Sequence, residues 1–449
     1  MSHVSRDRPR TAVPVLSRLS TLLPPGTVAV GAGLAVLGAA SYVHIAVASH
    51  FLSKAHNSAF AVVWSIVFTV GLGLFLPIEQ QITRIVVARR AEGQGIWPVY
   101  RRGAVLALGL LVAVCAALVI VAGPVADRLF GGDRSLVIAM AGGFAGLALA
   151  HPTRGVLAGT GRFGAYGLQL GVDGGLRIVL AAVLGLAGVH SPLLFGLILA
   201  VAPVLSVLVT AGAVRSELSA GRQLPWPEFG RGVAPLMVST LLAQLVVNVG
   251  VVNIKLLAPQ DVALAGALLS ALVLVRIPLF VFASLQASLL TGLATSASAG
   301  DRLGFRHLLL RACAIVSALA FIGAVPTVLF GPWLLRIFFN TSEVLNRLDF
   351  AVLAAGTGAY LIAQVLGQGA ISLGHHRDQT YAWLAGTLAL ILITVAPGSV
   401  SLRVEGGYAL GSAVVAIVLA FAVSRRAARP SGPGPSGSPA ALIVLGGGD

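Results

Sequence analysis

Gly123-Pro124-Val125-Ala126-Asp127-Arg128-Leu129-Phe130 and Gly331-Pro332-Trp333-Leu334-Leu335-Arg336-Ile337-Phe338 are one phrase written twice, 208 residues apart. Gly, Pro, Arg and Phe recur at identical offsets, and each copy follows a long apolar run and precedes another. The similarity continues outward. Glu79-Gln80-Gln81 through Gly93 lines up with Gln286-Ala287-Ser288 through Gly300, and Gly155 through Tyr166 lines up with Gly369 through Tyr381. The offset reaches 214 at Gly155 and Gly369, which places an insertion between Asn340 and Arg347. The chain reads as two copies of one module.

The module belongs in a membrane. Mean hydropathy is +0.94, with 57% hydrophobic and only 10% charged residues. A soluble chain of 449 residues would carry more charge on its surface. Continuous apolar runs recur that are long enough to cross a hydrocarbon core of roughly 30 Å. They do not alternate, so they read as helices and not as barrel strands. The expected architecture is all-α, with about twelve transmembrane helices near 27–48, 59–78, 103–123, 135–152, 163–188, 192–213, 233–256, 261–285, 307–330, 347–371, 379–398 and 405–423.

This divides the chain into an arm (1–26), a six-helix half (27–213), a linker (214–232), a second half (233–423) and a disordered tail (424–449). An even span number per half gives both halves the same orientation and relates them by an axis along the membrane normal. A short apolar stretch in the tail, Ala440 to Leu445, is too brief to span.

The net charge of +15 is placed by topology and gives no sign of a nucleic-acid partner. With the amino terminus inside, 21 Lys and Arg fall on the inner side and seven on the outer side. This bias predicts a multi-pass protein of a bacterial inner membrane with both termini cytoplasmic, its basic face against anionic lipids. Cys115 and Cys313 lie inside expected spans, so no disulfide is expected. No metal-ligating cluster, Walker motif or cofactor fingerprint occurs, and no catalytic constellation stands beside a large external loop.

Four places resemble the polysaccharide-exporter branch of the multidrug/oligosaccharidyl-lipid/polysaccharide flippase superfamily. They are the loop from Glu79 through Arg84 to Gly93, the elbow Arg154 to Phe163, the Arg-bearing fifth span at Gly174-Gly175-Leu176-Arg177, and Val275-Arg276-Ile277-Pro278 in the eighth. The likeness is diffuse and runs over residues 27–423. It departs from the multidrug branch in lacking an acidic residue in the first span. It implies a transporter, not an enzyme, that flips a polyprenyl-linked oligosaccharide by alternating access, working beside a polysaccharide polymerase or glycosyltransferases. The alternatives are a multidrug or small-molecule exporter of the same superfamily, a major-facilitator transporter, and a polytopic lipid-linked glycosyltransferase or polymerase.

Charges inside the bilayer are costly, so each is a functional candidate. Arg177 and Arg276, one per half, suit a phosphate or pyrophosphate because Arg offers a permanent charge and a forked donor. Gln244 and Asn248 share a helix face and are candidate sugar ligands, or a helix–helix hydrogen bond. Asp173, four residues before Arg177, is the candidate for ion coupling, or a structural partner for that arginine. Glu79 and Arg154, at expected span ends, are candidate gate residues. His44 reads as a packing residue, and Lys255 as a local ion pair with Asp261.

Overall fold

The computed structural model describes residues 27–428 without 280–281, 283–288, 290–292, 294–295, 297–299, 340–344 and 374–375. The amino-terminal arm, the tail beyond 428 with Ala440 to Leu445, most of Gln286 to Gly300, and most of the Asn340 insertion lie outside the described residues.

Among the described residues twelve helices follow one another, and no strand occurs. The first half comprises α1 (Thr27–Phe51), α2 (Lys54–Ala91), α3 (Trp97–Leu129), α4 (Ser135–Gly159), α5 (Phe163–Leu186) and α6 (Pro192–Arg215). The second comprises α7 (Trp226–Leu257), α8 (Val262–Val275), α9 (Arg302–Phe339), α10 (Arg347–Ser372), α11 (His376–Val395) and α12 (Val400–Ala428). Eleven are long and apolar enough to cross a membrane; α8 is the shorter apolar helix in its described part. This is the expected polytopic architecture of two six-helix halves.

The boundaries differ from the sequence reading at instructive places. The two Gly-Pro phrases are not loops: Pro124 and Pro332 lie inside α3 and α9, which continue to Leu129 and Phe339. The amphipathic flanks of these helices fall outside any purely apolar window. The linker is also shorter than expected, because α6 runs to Arg215 and α7 starts at Trp226. Lys255 and Asp261 do not pair. Asp261 instead caps α8, its carboxylate accepting the Leu264 N–H at 3.1 Å, because an orphan amide at a helix start is a nearer partner.

Packing repeats from half to half. In the first half α1 packs on α5, α3 on α4, and α6 on both α4 and α5. In the second, α7 packs on α11, α9 on α10, and α12 on both α10 and α11. The α1–α5 contact is backbone-close: a Cβ on Gly174 would come within 2.8 Å of Leu37 Cα, so only glycine fits there. All the larger contacts between the halves join α1–α3 to α7–α9. On the opposite side the halves stand apart across a cavity. We call the end bearing the α2–α3, α4–α5 and α6–α7 connections the inner end.

Candidate functional site

The cavity occupies about 420 Å³ and is walled by α1, α2, α4 and α5 of the first half and α7, α8, α10 and α11 of the second. Its charged lining consists of Arg154, Asp173, Arg177 and Arg276. Three permanent cations face one carboxylate, so the cavity is net positive.

The first-half wall is an ion cluster. Asp173 is fully buried and takes one arginine on each oxygen: Arg154 Nη2 donates to Oδ2 at 2.7 Å and Arg177 Nε to Oδ1 at 2.8 Å. The Arg177 guanidinium lies 5.7 Å from the centre of the Phe68 ring, and Phe68 stacks on Trp64 at 4.7 Å. Arg154 Nε is buried and has no hydrogen-bond partner. Such a donor is costly to leave unmade.

The second-half wall is a chain of neutral dipoles ending in a cation. Arg276 Nη1 donates to Asn248 Oδ1 at 2.9 Å, and Asn248 Nδ2 donates to Gln244 Oε1 at 3.0 Å. Arg276 also donates to the Val247 carbonyl. Further along the same wall Gln364 donates to the Tyr360 hydroxyl at 2.9 Å, and Gln368, Gln379 and Trp383 complete the lining. Contacts between the halves close the outer end. Tyr42 donates to the Val273 carbonyl at 2.8 Å, Ser65 donates to the Asn248 carbonyl, and Asn57 abuts Gly266.

The structure thus brings Arg177, Arg276, Asn248, Gln244, Asp173 and Arg154 to one cavity. Arg154 is not at a span end; it belongs to the Asp173 cluster. Glu79 does not line the cavity but stands close enough to Arg154 to act on its charge, and it is not solvated as a span end would be. It is buried behind the wall, accepting Tyr166 OH at 2.8 Å and facing His151 Nδ1 at 2.7 Å. His44 packs among Phe60, Trp64 and Phe195 and bonds the Phe195 carbonyl at 3.0 Å, as a packing residue does. Cys115 and Cys313 are free thiols. No group of three or more metal-ligating side chains occurs among the described residues.

The sequence reading missed the aromatic lining of Trp64, Phe68, Tyr360 and Trp383, which in sequence looks like any other apolar residue in a span. Asp173 is also not alone as a buried carboxylate in the helices. Glu405 in α12 is equally buried, one oxygen accepting the Ser401 hydroxyl at 2.7 Å and the other without a partner. Its place at the expected edge of the last span concealed it.

Comparison of the whole chain with solved structures supplies a relationship. The chain has the fold of MATE transporters of the MOP superfamily. It superposes on an outward-facing multidrug resistance MATE family transporter of that superfamily with a TM-score of 0.69 at 16% identity, covering 89% of this chain and 94% of the other. For a point mutant of the Vibrio cholerae MATE transporter VcmN, the TM-score is 0.68 at 16% identity, covering 91% and 97%. A MOP superfamily transporter from Pyrococcus furiosus, described as having a binding pocket of reverse polarity, gives 0.63 at 16% identity, covering 89% and 94%. No family model matches the chain. In sequence it is similar to two uncharacterized proteins of Mycobacterium tuberculosis. One, Rv1510, is 27% identical over 424 residues, covering 91% of this chain and 95% of that protein. The other, Rv3630, is 26% identical over 390 residues, covering 84% and 87%. The likeness to these solved structures is one of fold, in a chain with eleven helices long and apolar enough to cross a membrane among its described residues.

Proposed function

We propose that the protein moves a lipid-linked anionic glycan, a polyprenyl-linked oligosaccharide, from the inner to the outer leaflet of a bacterial inner membrane by alternating access of its two halves. The observation that carries this reading is the charge of the shared cavity: Arg154, Arg177 and Arg276 against Asp173 alone. A phosphate or pyrophosphate crossing the low-dielectric layer needs fixed positive charge, and arginine supplies it without a protonation step. The amides of Gln244, Asn248, Gln364 and Gln368 offer donors and acceptors to sugar hydroxyls. The half-buried Phe68 ring offers an apolar surface to a sugar ring or to the first prenyl unit. Asp173 is the proposed site of ion coupling, since any change in its charge alters the hold on two arginines at once. On this reading Glu79 is not a gate; its bonds with His151 and Tyr166 brace α2, α4 and α5.

A multidrug exporter is the second reading, supported by the MATE fold and the aromatic lining. A cationic drug would meet three arginines against the one carboxylate that lines this cavity, and α1 carries no carboxylate to receive it. The two readings separate in proteoliposomes. A fluorescent polyprenyl-pyrophosphate saccharide should be flipped, and a cationic dye should not be exported. Dye export without lipid flipping would overturn the proposal.

A further inference from the structure

The stretch joining the two halves, residues 216–224, looks in sequence like a short tether. In space it is fastened along its length to the first half. Arg162, in the α4–α5 turn, donates through Nε to Glu217 at 2.6 Å and through Nη2 to Ser216 Oγ at 3.0 Å. The Trp97 N–H donates to the Ser219 carbonyl at 3.0 Å. Arg89, buried at the inner end of α2, donates through Nη1 to the carbonyls of Arg222 at 2.7 Å and Gly95 at 3.2 Å. Arg102 of α3 donates to the Leu224 carbonyl at 2.8 Å and covers the Trp226 ring at 4.6 Å. The backbones of the α2–α3 loop and the linker touch: a Cβ on Gly221 would come within 2.7 Å of Gly95 Cα. Leu224 is fully buried.

The contact then continues up one line. Gln81 of α2 donates to the Phe229 carbonyl in the first turns of α7 at 3.1 Å. Gly73 lies against Leu241, where a Cβ would come within 2.9 Å of the leucine Cα. Ser65 donates to the Asn248 carbonyl beyond that. The α2–α7 seam is therefore bonded from the inner end to the outer end, while α4–α6 and α10–α12 share no substantial contact across the cavity.

We propose that residues 216–224 are a strut of the first half, and that the second half swings like a door about the α2–α7 seam, with its pivot at Pro225. A linker with its carbonyls held by buried or stacked arginines has no slack to let out. Symmetric rocking would need that slack at the inner end. A swing about the seam needs only a change in backbone direction at the start of α7, where Pro225 already holds an extended conformation, φ −65° and ψ 143°. Hinges absorb motion at a few residues at the ends of elements. Displacement then grows with distance from the seam, so α10–α12 move most and the first turn of α7 least. The inference stands on packing alone and is independent of what the cavity carries.

Electron spin resonance distances test it in a cysteine-free background (Cys115→Ala, Cys313→Ala). Labels go on Gly164 at the start of α5, Gln223 in the strut and Arg306 in α9, all exposed. The 164–223 distance should be single and narrow, because a free chain of ten residues would wander over roughly 17 Å. It should stay fixed whether or not a disulfide between Asn57→Cys and Gly266→Cys locks the outer end. The 164–306 distance should be broad or shift when that lock is reduced. In Arg89→Gln/Arg102→Gln the 164–223 distance should broaden, and trypsin should cut after Arg222 at least tenfold faster. A broad 164–223 distance in the unaltered strut overturns the proposal without recourse to the arginine variant. So does a 223 label that moves together with 306, or a 164–306 distance that never changes.

Discussion

The two halves share a plan and differ in what they present to the cavity. At the repeat offset of 214, Arg154 corresponds to Gln368. Each half packs its helices in the same pairs, yet the first half places an ion triad in its wall where the second places amides and tyrosines around a single arginine. Helix pairing depends on small residues and shape, which a duplicated sequence retains. The polar wall is set by a few side chains that can change without disturbing that pairing. A carrier built from two identical walls would offer a symmetric site. On the function proposed above, two different walls would fix the orientation of an asymmetric ligand, a charged headgroup followed by sugars.

That contrast can be broken by asking what each wall contributes to stability. Asp173→Asn leaves two buried arginines without their counter-charge and should cost about 3–5 kcal/mol. Asn248→Ala removes one charge-assisted bond to Arg276, which keeps the Val247 carbonyl, and should cost about 1.5–3 kcal/mol. Thermal unfolding of the purified variants checks the order. An Asn248→Ala protein less stable than Asp173→Asn would mean that the ionic wall is not the more tightly coupled one.

A smaller effect sharpens the difference in helix packing. Gly174→Ala forces a methyl group against the α1 backbone and should cost about 1–3 kcal/mol. Gly175→Ala, one residue on and with open space around it, should be close to neutral. Equal melting temperatures for the two variants would show that α1 and α5 are looser than their geometry indicates. Smaller still, Cys115→Ala and Cys313→Ala should each change stability by no more than about 0.5–1 kcal/mol, because each removes one half-buried thiol. Reducing agent should leave the melting temperature of the parent protein unchanged.

Much of this was legible in the sequence. Apolar length gave twelve helices, and the repeated Gly-Pro-x-x-x-Arg-x-Phe phrase gave two halves, because hydropathy and duplication are local signals. The intramembrane charges Arg177, Arg276 and Asp173 stood out because the bilayer makes each one expensive. The third member of their cluster was named for a different role, as a gate at a span end. Arg154 lies 19 residues from Asp173, and nothing local distinguishes it from the inner-side arginines that set topology. Trp64 and Trp383 line the cavity among apolar residues that face lipid, and only packing separates the two groups. The fastened linker was hidden for a related reason: its anchors, Arg89, Arg102 and Arg162, counted as topology charges, and its own contribution is backbone carbonyls, which no sequence displays.

The central claim is that both halves contribute charge to one anion-binding cavity. Equilibrium binding of a short-chain prenyl pyrophosphate to the detergent-solubilised protein, followed by isothermal titration calorimetry, tests it most directly. Arg177→Gln and Arg276→Gln should each weaken binding by about tenfold, equivalent to about 1.4 kcal/mol, and an uncharged prenyl alcohol should bind equally to all three proteins. Unchanged affinity in both variants, or a loss confined to one half, would contradict a cavity whose charge is shared between the halves.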